Sequence, residues 1–182
     1  MKFFDTTLPG VRLIEPRVFG DGRGFFLETW SERAFAEAGL PLKFVQDNHS
    51  RSGRGVLRGM HYQLKHPQGK LVRVATGAVY DVVVDMRRTS PTFGQWEGFH
   101  LTSENKHILW VPPGMAHGFL SLADDTDFLY RCTDIYAPEY ERSLLWSDPT
   151  VAITWPLDMV GVPVVSAKDQ AGTLFKEADF YA

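Results

Sequence analysis

Short runs of strand-forming residues, separated by turn residues, recur along most of the chain and constrain its fold more than any other feature. The runs cover residues 11–19, 25–30, 56–63, 71–75, 79–85, 95–101, 108–111, 119–122 and 127–136. Glycines and prolines such as Gly77, Gly94 and Pro112 lie between them. Many evenly spaced strands with few helices are typical of a double-sheet jelly roll or a barrel. The sequence therefore predicts an all-β fold.

Two segments depart from this pattern. Residues 31–38 are predicted to form a minor helix, because Ser31 can cap its first turn and Gly39 followed by Pro41 would end it. The residues after Asp148 show no clear period, and we expect them to form a C-terminal segment that wraps around the sheets. A length of 182 residues suits one domain spanning residues 1–182.

Composition narrows the classes of function. The formal net charge is −3, whereas broad binding of nucleic acid or of an anionic membrane needs a positive field. Cys132 is the only cysteine, which excludes an intrachain disulfide and the usual thiolate metal sites. The first residues lack the apolar core of a signal peptide, and no apolar run approaches the length of a membrane span. We expect a cytoplasmic protein that binds neither nucleic acid nor membrane.

The first motif whose residue types suit catalysis comprises residues 58–63. In a regular strand His61 and Gln63 share a face, and Arg58 points to the other face unless Gly59 marks a bulge. Histidine is the side chain best matched to proton abstraction near neutral pH. An isolated histidine is more often a hydrogen-bonded structural residue, so this motif alone leaves both interpretations open.

Residues 112–119 resemble the second sequence box of the cupin superfamily, in which Pro-x-Gly-x-x-His ends a strand pair of a small jelly roll. This resemblance implies a cupin-type fold with His117 in the box. Metal-binding cupins carry His-x-His followed by glutamate in the first box, where this chain has His61 and Gln63. Two histidines fall short of the three protein ligands that a transition metal usually takes. We therefore expect no metal or other cofactor, and a metal-dependent cupin enzyme is a disfavoured alternative.

Three further side chains suit enolate chemistry or a sugar ligand. Lys70 follows a glycine turn, where it would neutralise an enolate or bind phosphate, although a lysine in a turn is commonly solvated. Tyr130 and Tyr136 are six residues apart, and a regular strand would place both on one face. One would donate a proton and the other stack on a base or sugar, or both would pack across strands.

Taken together and in order, these motifs resemble the dTDP-4-dehydrorhamnose 3,5-epimerase family from about Gly20 to Asp169. The matching segments are Arg23-Gly24-Phe25-Phe26 with Glu28, Gln46-Asp47-Asn48-His49-Ser50, Arg58-Gly59-Met60-His61-Tyr62-Gln63, Gln68-Gly69-Lys70, Pro113-Gly114-Met115-Ala116-His117-Gly118-Phe119, Tyr130 through Tyr136, and Lys168-Asp169. The resemblance implies inversion of C3 and C5 of dTDP-4-dehydro-6-deoxy-D-glucose, a step towards dTDP-L-rhamnose and surface polysaccharide. It also implies a homodimer, often with an N-terminal strand shared between subunits.

The resemblance implies a role for each reacting group. His61 matches the catalytic base, and Asp169 matches the carboxylate that orients it. Tyr130 matches the acid that returns a proton from the opposite face. Lys70 matches the residue that stabilises the enolate oxygen, with His117 close to the sugar ketone.

The remaining matches concern the nucleotide. Tyr136 matches a residue that stacks on thymine, and Asp81 would hold Lys70 or a histidine in place. The positions that match nucleotide and diphosphate binding are Arg23, Glu28, Gln46, Asn48, Arg58, Glu141 and Lys168. The sequence leaves three alternatives open: inversion of C3 or C5 alone, a non-catalytic sugar-nucleotide-binding module, and Tyr136 rather than Tyr130 as the proton donor.

Overall fold

The computed structural model describes residues 1–182, and strands make up most of its regular structure. The strands are β1 (Lys2–Asp5), β2 (Arg12–Glu15), β3 (Val18–Asp21), β4 (Gly24–Leu27), β5 (Gln46–Ser52), β6 (Val56–Gln63), β7 (Lys70–Thr76), β8 (Ala78–Asp85), β9 (Trp96–Thr102), β10 (Ile108–Val111), β11 (Met115–Ser121), β12 (Thr126–Cys132), β13 (Glu141–Ser143) and β14 (Val164–Val165). The helices are α1 (Glu32–Glu37) and α2 (Ala167–Gln170), with short 3-10 turns at Pro138–Tyr140, Leu157–Met159 and Phe175–Glu177.

Two large sheets face each other. The first sheet has the order β1-β2-β10-β7-β12-β5, and the second has the order β13-β6-β11-β8-β9 with β14 beside β6. Neighbouring strands pair antiparallel, except that β14 runs parallel to β6. Strands β3 and β4 form a separate hairpin. This architecture confirms the predicted all-β, double-sheet fold.

The core follows from the alternation of side chains along the strands. Val72 and Leu109 of the first sheet and Val83 and Phe119 of the second lie in one buried cluster between the sheets. Residues at the alternate positions, such as Val82, point to the outer face of the second sheet. Because both faces of the second sheet are covered, its strands are more continuously apolar than a solvent-facing sheet would be.

The C-terminal segment covers the outer face of the second sheet, as predicted. Leu144, Val151 and Trp155 belong to a buried cluster with the outward residues of β6 and β8, and Phe180 packs against it. The chain from about residue 144 onward therefore wraps around the sheet. None of the helices has the length and hydropathy that a bilayer crossing requires.

Helix α1 covers the outer face of the first sheet and confirms the predicted minor helix. The Ser31 hydroxyl accepts a hydrogen bond from the Ala34 N–H at 3.4 Å, and Gly39 follows the helix with φ of 79°. Phe35 is fully buried against Ile14 and Trp110. A helix of this length is marginal in water by itself, so the burial of Phe35, worth about 1.5–3 kcal/mol, anchors it to the sheet.

Two of the predicted runs differ from the strands in the structure: one is divided into two strands, and the other covers only part of a longer strand. The run at 11–19 is two strands, β2 and β3, because Pro16 lies between them and has no N–H for a strand ladder. The run at 119–122 is the C-terminal half of β11, which begins at Met115. The glycine and histidine within β11 hid its start, because they interrupt the apolar pattern.

The remaining errors concern strand ends and polar strands. The run at 127–136 ends at Cys132, and the run at 25–30 ends at Leu27. Consequently Tyr136 lies outside the strand that carries Tyr130, and the two do not share a strand face. Strands β1, β5, β13 and β14 were not predicted. Strand β5 reads Gln-Asp-Asn-His-Ser-Arg-Ser, and no apolar run marks it.

Candidate active site

A cavity of about 330 Å³ opens between the two sheets. The first sheet contributes Lys70 from β7 and Tyr130 from β12, and the second contributes His61 from β6 and His117 from β11. These side chains also line an inner chamber of about 200 Å³, where Arg58 joins them. The remaining predicted residues that line the outer cavity are Gln46, Asn48, Tyr136 and Glu141.

A β-bulge at Gly59 brings Arg58 and His61 to the same chamber, as the sequence suggested. His117 pairs with His61 and Phe119 with Arg58, so β6 advances three residues where β11 advances two. Gly59 has φ of 126°, and a Cβ there would lie 2.6 Å from the Cα of Gly118. Glycine is therefore required at Gly59 by both conformation and space.

The side chains of His61 and Asp169 form a close pair. His61 Nε2 lies 2.6 Å from Asp169 Oδ1, and Asp169 Oδ2 accepts a hydrogen bond from the Gly59 N–H at 3.3 Å. Asp169 is on α2, where its own N–H donates to the capping hydroxyl of Ser166 at 3.1 Å. Burial raises the pKa of Asp169, but the hydrogen bond and charge of His61 outweigh it and the net pKa is lowered. The carboxylate therefore stays ionised at neutral pH and can accept a hydrogen bond from His61 Nε2–H.

His117 is held by Asp81 rather than exposed to solvent. Its Nε2 lies 2.9 and 3.0 Å from the two oxygens of Asp81, and both side chains are buried. Burial raises the pKa of Asp81, while the charges of His117 and Lys70 oppose the shift. The sequence left Lys70 or a histidine as the partner of Asp81, and in the structure Asp81 is bonded to His117.

Lys70 is the free cation of the chamber. Its ammonium makes no hydrogen bond within the protein, so its donors are available to a ligand oxygen. Burial lowers the pKa of Lys70, and the neighbouring Cys132, Asp81 and Glu141 act in the opposite direction. A desolvated cation beside a cavity is suited to stabilise a developing negative charge.

Tyr130 lies on the opposite wall from His61. It belongs to the first sheet, whereas His61 belongs to the second, and both line the inner chamber. Burial raises the pKa of Tyr130, so its hydroxyl keeps its proton at neutral pH. The hydroxyl has no hydrogen-bond partner in the protein. A protonated phenol without a partner is available to donate to a ligand.

The mouth of the cavity carries a connected polar network. The Tyr136 hydroxyl donates to Glu141 at 2.8 Å, and Lys168 forms an ion pair with the same carboxylate. The Tyr136 N–H donates to Gln46 at 3.0 Å, and the Gln46 amide donates to Asn48 at 3.0 Å. Five residues predicted to bind the nucleotide are thus brought together.

Two predicted binding residues, Arg23 and Glu28, lie away from the cavity. Arg23 is in the β3–β4 hairpin, forms an ion pair with Asp21 and has a side chain that is 90% exposed. Glu28 follows β4 directly. Neither lines the cavity within this one chain.

Residues 5–177 match the family model described as dTDP-4-dehydrorhamnose 3,5-epimerase. The chain belongs to this family. A dTDP-4-dehydrorhamnose 3,5-epimerase from Pseudomonas aeruginosa is 56% identical over 182 residues, covering 100% of this chain and 99% of that protein.

Solved structures of epimerases share the fold. The dTDP-6-deoxy-D-glucose-3,5-epimerase from Legionella pneumophila in complex with dTDP-4-keto-L-rhamnose has a TM-score of 0.94 and 47% identity, over 98% of this chain and 94% of its own. A 3′-monoepimerase from Streptomyces bikiniensis in complex with dTDP-quinovose has a TM-score of 0.89 and 35% identity, over 95% and 87% of the two chains. The cupin-like jelly roll of this epimerase family member is therefore confirmed.

Sequence analysis missed several residues that line the cavity of this epimerase family member. Ser50, Gln63, Gln68 and Cys132 do so, yet none was predicted as a site residue. The polar alternation of β5, with Ser50 two positions after Asn48, is the signal that would have found Ser50. No group of three or more His, Cys, Asp and Glu side chains is placed to hold a metal ion.

We expect Asp169→Asn to lower kcat of this family member by at least about 100-fold. With Asp169 accepting from Nε2–H, His61 Nδ1 keeps the lone pair that a base needs; an asparagine amide donating to Nε2 would select the other tautomer. Steady-state turnover, with histidine ¹⁵N shifts to read the tautomer, measures the effect. The exposed Asp158→Asn is the matched control. Wild-type kcat in Asp169→Asn would contradict the pairing's role.

Proposed function

We propose that this chain inverts C3 and C5 of dTDP-4-dehydro-6-deoxy-D-glucose to give dTDP-4-dehydro-L-rhamnose in dTDP-L-rhamnose biosynthesis. The observation that carries the proposal is the placement of the His61–Asp169 pair and of Tyr130 on opposite walls of one chamber. The relatives match nearly the whole chain, and their names support the same substrate.

In the proposed mechanism, His61 removes the proton from a carbon next to the C4 ketone. The C–H electron pair forms a C=C bond and the carbonyl oxygen takes up the negative charge. Lys70 and the Asp81-held His117 stabilise that enolate oxygen. Tyr130 then donates a proton to the opposite face of the same carbon, which inverts it. The ketone acidifies both neighbouring carbons, so the same groups serve C3 and C5 in turn without a cofactor, after His61 has released its proton to solvent and Tyr130 has taken one up.

The nucleotide is proposed to bind at the mouth of the cavity. Tyr136 would stack on the thymine, with Gln46, Asn48 and Glu141 around it. Arg58, in the inner chamber, and Lys168, at the mouth, are the cations proposed to hold the diphosphate by charge-assisted hydrogen bonds.

A homodimer is part of the proposal. Phe19, Phe25 and Phe26 of the β3–β4 hairpin are 50%, 63% and 69% exposed, and an isolated hairpin is marginally stable in water. Packing of the hairpin on a second copy would bury these rings. It would also carry Arg23 and Glu28 to the partner's cavity, which accounts for their distance from the cavity of their own chain.

We place the reaction in the cytoplasm and assign residues 1–182 to one domain. The chain has a single, buried cysteine and therefore no intrachain disulfide that would require an oxidising compartment. The C-terminal segment shares a buried cluster with the second sheet, so it has no separate core.

Inversion of C3 alone is the second candidate. The Streptomyces bikiniensis 3′-monoepimerase shares this fold closely, so the fold by itself fits either outcome. The experiment that separates them is ¹H NMR of the product formed from dTDP-4-dehydro-6-deoxy-D-glucose. Inversion at both centres supports the proposal, and inversion at one centre replaces it with the second candidate.

The two tyrosines are expected to respond differently to loss of the hydroxyl. We expect Tyr130→Phe to lower turnover by at least about 100-fold while deuterium exchange from solvent continues, because the base still acts and the acid is gone. Tyr136→Phe, which keeps its ring and loses the bond to Glu141, is expected to raise KM and leave kcat within about threefold. The reverse pattern would assign the proton donor to Tyr136.

A further inference from the structure

Gln63 is a buried residue that the mechanism does not use. Its side chain is nearly inaccessible, with the residue 4% exposed, and it stands where a metal-binding cupin carries its second histidine. Its amide Nε2 donates to the His66 carbonyl at 2.8 Å and to the Ile135 carbonyl at 3.1 Å. Its Oε1 accepts from the Ala137 N–H at 2.9 Å. Both N–H groups and the oxygen of the amide are therefore used within the protein.

A primary amide matches all three partners. A primary amide offers two donors and an acceptor, a neutral imidazole offers one of each, and a carboxylate only accepts. The carbonyls and the N–H belong to the backbone, and leaving such groups unpaired costs about 1–3 kcal/mol each where they are buried. The hydrogen-bonding pattern at Gln63 thus explains why an amide occupies this position.

The three bonds join two loops that border the cavity. One loop follows β6 and contains His66, and the other follows β12 and contains Tyr136. Two of the three groups bound by Gln63, the Ile135 carbonyl and the Ala137 N–H, belong to the residues immediately before and after Tyr136. Ile135 and Tyr136 are 56% and 50% exposed, whereas Ala137 is 6% exposed. Burial therefore holds only the Ala137 end of this segment, and hydrogen bonds hold the backbone at Ile135.

We propose that Gln63 is a positioning residue that fixes the backbone on both sides of Tyr136 and so presents its ring to the nucleotide base. The inference rests on the proposed function, in which Tyr136 stacks on the thymine. Glu141 holds the other end of the Tyr136 side chain through its hydroxyl. Gln63 acts on nucleotide affinity through Tyr136 and does not touch the reacting atoms.

The test is a double-mutant cycle between Gln63→Met and Tyr136→Ala, read as the Kd for dTDP by calorimetry. Methionine keeps the length and apolar stem of glutamine and removes its hydrogen bonds. Gln63→Met is expected to weaken dTDP binding about 10-fold and to raise KM by a similar factor, with kcat within about threefold. In the Tyr136→Ala background the same change is expected to alter Kd by less than about twofold. The exposed Gln95→Met is the matched control.

Two results would overturn the inference. One is an unchanged Kd in Gln63→Met, and the other is the same loss of affinity with and without Tyr136, which would indicate a general structural effect. Where Gln63→Met fails to fold, Gln63→Glu, which keeps the acceptor for Ala137, is measured in the same cycle. A wild-type protein that binds dTDP but does not epimerise would overturn the proposed function, and the Kd cycle would still decide the role of Gln63.

Discussion

Replacing His61 with asparagine is expected to lower kcat by about 10³-fold or more and to abolish exchange of substrate hydrogens with solvent. Asparagine is polar and fits within the space of the imidazole, but it has no nitrogen that accepts a proton near neutral pH. General base catalysis contributes roughly 10²–10⁴-fold to the rate. The ionised carboxylate of Asp169 is bonded to one nitrogen of His61 and leaves the other nitrogen to face the substrate. Turnover and deuterium uptake in D₂O, followed by NMR, measure both effects.

The control for this variant is His100→Asn, which changes an exposed histidine of the second sheet outside the cavity. It is expected to retain wild-type kcat. Deuterium uptake in His61→Asn at the wild-type rate would show that another group removes the proton, and His117 would then be the first residue to change.

Lys70→Met is expected to lower kcat by about 10²–10³-fold with a much smaller change in KM. The ammonium has no partner within the protein and lines a chamber where burial lowers the pKa of Lys70, so a cation there stabilises an enolate oxygen more than it would in water. Methionine keeps most of the side-chain volume, so loss of the charge dominates the effect. Steady-state kinetics on dTDP-4-dehydro-6-deoxy-D-glucose separate kcat from KM.

This experiment also decides between the two roles that the sequence left open for Lys70. A rise in KM with unchanged kcat would mean that Lys70 binds the diphosphate in the ground state and does not stabilise the enolate. Lys176→Met serves as the control, because Lys176 is exposed at the surface near Glu177 and lies outside the cavity.

Local sequence patterns predicted most of the fold. Runs of strand-forming residues between turn residues indicated the buried strands β6, β7 and β8, and the capping serine with a following glycine indicated α1. The pattern failed where a strand has no apolar run of its own. Strand β5 is one such case, because its inward side chains Gln46 and Asn48 face the cavity instead of the apolar core.

Local sequence patterns predicted only part of the site. Gly59 indicated the bulge that turns Arg58 inward, because a glycine inside a strand marks a local distortion of the backbone. The pairing of His61 with Asp169 joins residues 108 positions apart and depends on how the C-terminal segment packs, so spacing does not reveal it and only the family resemblance implied it. The expected common face for Tyr130 and Tyr136 was wrong because β12 ends at Cys132, where the chain turns around contacts between Gly69 and Thr133.

In the proposed mechanism, one chamber removes and returns protons at both carbons next to the ketone. The most direct test is deuterium uptake by dTDP-4-dehydro-6-deoxy-D-glucose incubated with the wild-type protein in D₂O with a chelator, read by NMR and mass. Uptake at both C3 and C5 is expected, with the doubly inverted sugar as product. No uptake by folded protein that binds the nucleotide would contradict it and leave a sugar-nucleotide-binding module.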